Sequence, residues 1–254
     1  MAGPATDYVS PMELAVLTEA WEQVSTAVAT HARWPPTGMA EALPGVAAGK
    51  VVKVRSGSGV AGVGLLAVSR EAAWLAVTDD HPVDAVSGLT QVALRGAWGG
   101  DKLLYQRLDL PWPFQDRHWV LQSETNRALA GASPAWERAW RNAPESLPAA
   151  RARTDAAGFD GALGVVENDG AWLLVPVGAS ATLAVYQARV DLGGSLPEGA
   201  AEAWSAATLD ALFRSTTRDA ASMTGRYGPG CTPQPGGDGR PIPCFPVPAP
   251  GVRD

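Results

Sequence analysis

Three histidines, His31, His81 and His118, and two cysteines, Cys231 and Cys244, are the whole imidazole and thiol supply of this 254-residue chain. The histidines are far apart in sequence, and neither H-E-x-x-H nor G-x-S-x-G occurs. His118 follows Asp116 and Arg117, so an acid–base role near neutral pH is one reading. The simpler one pairs Asp116 with Arg117 structurally and packs His118 at a strand edge, because ion pairs also perturb titration without catalysis. Cys231 and Cys244 form no CxxC, which argues against a zinc ribbon or thioredoxin site. A disulfide closing "CTPQPGGDGRPIPC" is sterically reasonable and would imply an oxidising compartment; two free thiols are the alternative. No residue is assigned as catalytic or metal-ligating, and no cofactor is expected.

One motif invites a nucleotide. "GSGVAG" (57–62) matches G-x-G-x-x-G, follows a Val-rich run, and has Asp79 at about the distance of a ribose-binding acid. A dinucleotide fold needs a helix opening at those glycines and repeated strand–helix alternation afterwards. Strand-like runs follow instead, so a Gly-rich hairpin turn at Gly57 and Gly59 is the better reading.

Composition narrows the class. Hydrophobic residues make up 46% and charged residues 18%, with a net charge of −6, which suits a soluble globular protein. No basic run offers a nucleic-acid face, and anionic membranes would repel the chain on average. No apolar stretch approaches the roughly 20 residues of a membrane span. "MAGPATDYVSP" lacks a basic start and an apolar core, so it does not read as a signal peptide. The chain as given reads as cytoplasmic, or as periplasmic or secreted if a leader was removed. Oligomeric state is not legible.

The elements that would position these residues are strand-rich between two helices. Ser10 and Glu13 form a capping box with Pro11 at the first helical position, and Leu14, Leu17, Trp21, Val24 and Val28 make one stripe, which predicts a helix over 10–33. Apolar runs at 50–54, 63–68, 92–98 (with Trp98), 102–110, 117–124, 171–177 and 181–190 have strand length and turn-like borders. Residues 125–160 are undecided between strand and helix. "DLPWPFQDRHWVL" (109–121) sets a proline–tryptophan corner between two strands and predicts a buried Trp112. Ser195 and Glu198 form a second capping box, with Pro197 in the first turn. Ala201, Trp204, Thr208, Leu212 and Ser215, widened by Leu209 and Phe213, give that helix a broad apolar face. From Gly225 onward Pro and Gly dominate, predicting a tail with few core contacts. The organisation expected is 1–44 (helix and linker), 45–222 (main domain) and 223–254 (tail).

Ten tryptophans suit either a packed core or an apolar ligand pocket. Arg107, Gln106, Gln122, Glu124, Tyr186, Gln187 and Arg189 interrupt apolar strands, and any that faces inward needs a partner or a ligand.

Three segments carry a resemblance. "LPWPFQDRHWVL" resembles the P-W-P-x-x-x-R-D segment of START lipid-transfer domains, in the Bet v 1-like (SRPBCC) helix-grip superfamily. "SREAAWLAVTD" (69–79) resembles the helix after the first strands, and "DLGGSLPEGAAEAW" (191–204) the D-P-G-G-x-[IL]-P link into the long C-terminal helix. They occur in the family's order over about residues 45–222. His118 stands where Asp is usual, and Leu192 where Pro is. The resemblance implies an α+β helix-grip fold: a curved antiparallel sheet wrapped around a long C-terminal helix, here with an extra N-terminal helix. It implies a non-enzymatic protein that binds, and transfers, a lipid, sterol-like or other apolar small molecule in an internal tunnel, with transient membrane contact and no nucleic acid. The ligand wall expected is Arg107, Trp119, Trp172, Leu174, Leu183, Val185, Trp204, Thr208 and Leu212. Two rivals share the fold: an aromatase/cyclase-type enzyme using His118, Glu124 or Tyr186, and an interaction module whose cavity is filled by its own side chains.

Overall fold

The computed structural model describes residues 12–56, 59–79, 88–96, 101–154, 156–194 and 200–246, without the side chains of 55, 56, 156, 157 and 200–208. In chain order the elements are α1 (Leu14–His31), α2 (Met39–Ala47), β1 (Val52–Ser56), β2 (Gly59–Leu66), α3 (Arg70–Thr78), β3 (Leu89–Arg95), β4 (Lys102–Leu108) and β5 (Arg117–Thr125). Then follow α4 (Arg127–Ala132), β6 (Trp136–Asn142), α5 (Leu147–Arg151), α6 (Ala156–Asp160), β7 (Leu163–Gly164), β8 (Glu167–Val177), β9 (Ala181–Asp191), α7 (Ala200–Arg226), β10 (Gln234–Pro235) and β11 (Pro241–Ile242). The main sheet runs β1-β2-β9-β8-β6-β5-β4-β3, with β7 also on β5. Every pairing is antiparallel except β5–β7. The undecided stretch 125–160 thus holds one strand, β6, between short helices. β2 begins at Gly59 and runs through Gly62, so the Gly-rich motif opens no helix; Gly57 and Ser58 lie outside the described residues, as do Ser10, Pro11, His81, Trp98, Ser195, Pro197 and Glu198. Asp79 pairs with Arg226.

Both faces of the sheet are covered. On the outer face, α1 and α2 pack over β1, β2, β9 and β8. Leu17, Val24 and Val28 of the expected stripe are buried there with Leu173, Val175, Leu183 and Val185, whereas Leu14 is exposed. Farther along that face, Phe159 of α6 stacks on Tyr105 at 5.8 Å and leans on His118 at 4.5 Å. His118 is therefore inside a covered sheet between β4 and β7, not at an open edge. Burial first, and the Arg107 guanidinium second, hold its imidazole below the usual histidine value. α3 and α7 lie on the inner face with Trp74, Trp136, Leu174, Leu209 and Phe213.

The corner departs from expectation in two ways. Trp112 is 92% exposed: the turn, closed by Phe114 N–H donating to Pro111 O at 3.1 Å, points outward. Arg117 does not pair with Asp116. It is buried and donates from Nε to Leu192 O (2.7 Å) and from its terminal nitrogens to Gln115 O (2.5 Å) and Gly193 O (3.1 Å). Asp116 instead faces Arg107 at 3.2 Å and caps Leu110 N–H. A planar, multiply donating cation suits a set of converging carbonyls.

The tail also differs from its composition. The Pro/Gly-rich segment after α7 docks on the core: Trp74 Nε1 donates to Pro235 O (3.1 Å), and Arg127 to Gly236 O and Gly237 O (both 3.0 Å). Gly236 and Gly237 lie flat on Trp136, where a Cβ would come within 2.7 Å and 2.3 Å of the ring atoms. Cys231 and Cys244 are disulfide-bonded, and Ile242 is buried. Glycine and proline here permit close backbone contact with aromatic faces instead of marking a loose end.

Three outcomes are expected. Trp112→Ala should change stability by no more than about 0.5 kcal/mol, as at an exposed site, while Arg117→Met should cost about 1–3 kcal/mol for each buried carbonyl left unpaired; urea unfolding of both variants checks the contrast. Gly64→Ala should destabilise by about 1–3 kcal/mol through overpacking, because its Cβ would meet the Phe213 ring at 2.8 Å. For His118, the native state binds fewer protons than the unfolded chain just below the ordinary value of 6.5. Stability should therefore fall as pH drops from about 7 through that range. A thermal scan series from about pH 7.5 to about pH 5 should show a shallower decline for His118→Asn; equal slopes would remove His118 from the account.

Candidate functional site

A cavity of about 270 Å³ lies between the inner face of the sheet and the helices α3 and α7. Its origin is a wedge. At β2 the helix sits directly on backbone: a Cβ at Gly62 would be 3.2 Å from Leu209 and Phe213. Toward β8, β6 and β5 large aromatics replace glycine. Trp172 leans on Phe213 (5.4 Å) and Tyr186 (4.9 Å), and Trp140 on Tyr186 (5.7 Å). The space beyond them is the cavity, walled by Trp119, Leu121, Trp140, Trp172 and Tyr186 from the sheet and by Leu209, Leu212 and Thr216 from α7.

Register decides which strand residues reach it. Trp119, Leu121 and Ser123 alternate on one face of β5, and their partners on β4 are Gln106, Leu104 and Lys102. All six line the cavity. Their polar members are tied together or to neighbours. Trp119 Nε1 donates to Gln106 Oε1 (2.8 Å), Gln106 Nε2 to Gln91 Oε1 (2.7 Å), and Trp140 Nε1 to Asn168 Oδ1 (3.2 Å). Lys102 Nζ donates to Thr78 O (2.5 Å), and Arg138 to Ser123 Oγ (2.6 Å) and Thr125 Oγ1 (3.2 Å). Both cations are buried, at 4% and 3% exposure. Burial pushes the Tyr186 hydroxyl up to about 12, so it stays a neutral donor at physiological pH.

Of the expected wall, Trp119, Trp172 and Leu212 line the cavity. Arg107 does not: it is one residue out of phase with Gln106 and pairs with Asp109 and Asp116 on the other side. Leu183 and Val185 face α1 and α2 for the same reason. Leu174 has the right parity but is buried with Trp74 and Trp136 away from the cavity. Trp204 and Thr208 fall in α7, but their side chains lie outside the described residues. The three candidates for acid–base work are not brought together. Tyr186 lines the cavity, His118 is on the outer face, and Glu124 is paired with Arg33 at 2.5 Å. Sequence reading missed Lys102, Arg138, Ser123 and Gln91. The signal for one of them was present, since anchoring Trp119 inward brings Ser123 with it by alternation along β5. Among the described residues no group of three or more His, Cys, Asp or Glu could hold a metal ion, and no helix is long and apolar enough to cross a membrane.

No protein-family profile matches the chain, and no curated protein sequence does. Solved structures do. A STAR-related lipid transfer protein from Xanthomonas axonopodis is similar at 19% identity over 66% of this chain and 90% of its own, with a TM-score of 0.53. Human STARD10 is similar at 13% identity and a TM-score of 0.52 over 65% of this chain, a match that spans 63% of the STARD10 chain. Human StAR-related lipid transfer protein 5 is similar at 13% identity over 81% of this chain and 98% of its own, with a TM-score of 0.51. At these identities the likeness concerns architecture. With its curved antiparallel sheet, its long C-terminal helix over the inner face and its extra N-terminal helix, the chain has the START-type helix-grip fold.

Proposed function

We propose that this protein binds an apolar or amphiphilic small molecule, lipid-like in class, in the cavity between sheet and α7, and that it does so without chemistry on the ligand. The observation that supports this reading is the cavity itself: an aromatic and aliphatic wall with a few placed polar groups, the usual make-up of a ligand pocket. The names of the similar structures, lipid transfer proteins among them, point the same way. The driving force is desolvation, about 25 cal/mol per Å² of apolar surface removed from water. A ligand drawn from a bilayer forfeits most of that gain, which makes exchange reversible. Entry requires α7 or an adjoining loop to move, since the helix roofs the site. Transfer between membranes is the natural use of such exchange.

An enzymatic reading needs a general acid or base facing the ligand. His118 and Glu124 face elsewhere, and Tyr186, which does line the cavity, keeps its proton because burial raises its hydroxyl, which favours binding over catalysis.

Native mass spectrometry of freshly purified protein should show a co-purified small molecule, or uptake of an added fatty acid or sterol. Leu212→Trp, which fills the cavity from α7, should lower occupancy at least about tenfold, as expected when apolar contacts are replaced by a clash, while leaving cooperative thermal unfolding intact. Absence of any adduct together with no uptake from added lipid would favour a cavity closed by its own side chains.

A further inference from the structure

The cavity wall carries more charge than an apolar ligand needs. Lys102 and Arg138 are both buried and both line the inner face beside Ser123. Lys102 is the neighbour of Ser123 across the β4–β5 pair, with Nζ on Thr78 O, and Arg138 donates to Ser123 Oγ at 2.6 Å. Ser123 lines the cavity, and a hydroxyl that accepts from a guanidinium still has its own proton to donate. On the helix side stand two carboxylates: Asp79, paired with Arg226, and Asp219, 3.5 Å from the Ser215 hydroxyl. The lining thus holds two cations on its sheet wall and two carboxylates on the helix side, one of them paired with Arg226.

From this juxtaposition we propose that the ligand is an amphiphile with an anionic oxyacid head, its head seated on the sheet wall at Lys102, Ser123 and Arg138. This deepens the binding function proposed above and rests on it. The head completes an arrangement that already has protein partners: a guanidinium and an ammonium keep strong attraction for a carboxylate or phosphate inside a low-dielectric pocket even when their donors are partly engaged. The body lies along Trp119, Leu121, Trp172 and Leu212.

Isothermal titration of the 254-residue chain with dodecanoate and dodecanol tests this. Wild type should bind dodecanoate at least about tenfold tighter than the alcohol, the scale of one charge-assisted hydrogen bond. Arg138→Met should reduce the preference to within about twofold, by loss of that bond. Should Arg138→Met fail to fold, Ser123→Ala is the second variant: it should weaken dodecanoate severalfold and leave dodecanol unchanged. Equal binding of both ligands by wild type, or equal loss of both in the variants, overturns the head-group assignment and leaves cavity binding standing. Binding of neither overturns both.

Discussion

The seating of α7 on the glycines of β2 governs the inner half of the molecule. Gly62 and Gly64 present bare backbone to Leu209 and Phe213, so the helix comes as close to the sheet there as backbone allows. A straight helix pressed down at one point can clear the rest of a curved sheet only by standing away from it, and the aromatics of β8 and β6 hold it there. A cavity forms as the unfilled part of that wedge. Side chains larger than glycine on β2 would lift the helix evenly and remove the asymmetry from which the cavity arises.

Two buried polar groups hold the connections that this packing needs. Arg117 gathers the carbonyls of Gln115, Leu192 and Gly193, tying the β4–β5 corner to the segment that leads from β9 toward α7. Glu137, fully buried on β6, accepts from the backbone N–H groups of Arg33 (2.9 Å) and Trp34 (3.1 Å) and from Asn126 Nδ2 (2.5 Å), so it secures the exit from α1 against the outer face. In both cases a buried polar side chain satisfies several backbone groups that no strand could pair, and its burial is tolerable for that reason. The disulfide-bridged tail plays a similar part at the far end, where its carbonyls accept from Trp74 and Arg127 and its glycines cover Trp136.

A sheet covered on both faces explains why the cavity wall is hard to read from sequence. On β9, Leu183 and Val185 are as apolar as any cavity residue, yet they serve the contact with α1 and α2. Where one face of a strand is solvated, alternation names the inner residues. Here alternation named only two sets, and composition did not distinguish them. The charged residues misled in the opposite direction: Arg107, read as an inner anchor, faces Asp109 and Asp116, whereas Lys102 and Arg138 are the buried cations of the cavity.

Periodicity and turn chemistry determined, from the sequence alone, that strands fill the middle of the chain and that a helix with a broad apolar face follows them; the helix-grip fold was implied by the resemblance of three motifs, in order, to a known family. Those features are local, or depend on order along the chain, and they survive without knowledge of contacts. Tertiary structure alone decided the phase of each strand, the outward pose of Trp112, the carbonyl partners of Arg117, the docking of a tail whose composition reads as loose, and the placing of Lys102 and Arg138 in the cavity wall. Each of these depends on which strand lies beside which and in what register. Register is set by the packing of both faces together, a property that no single segment of the sequence contains.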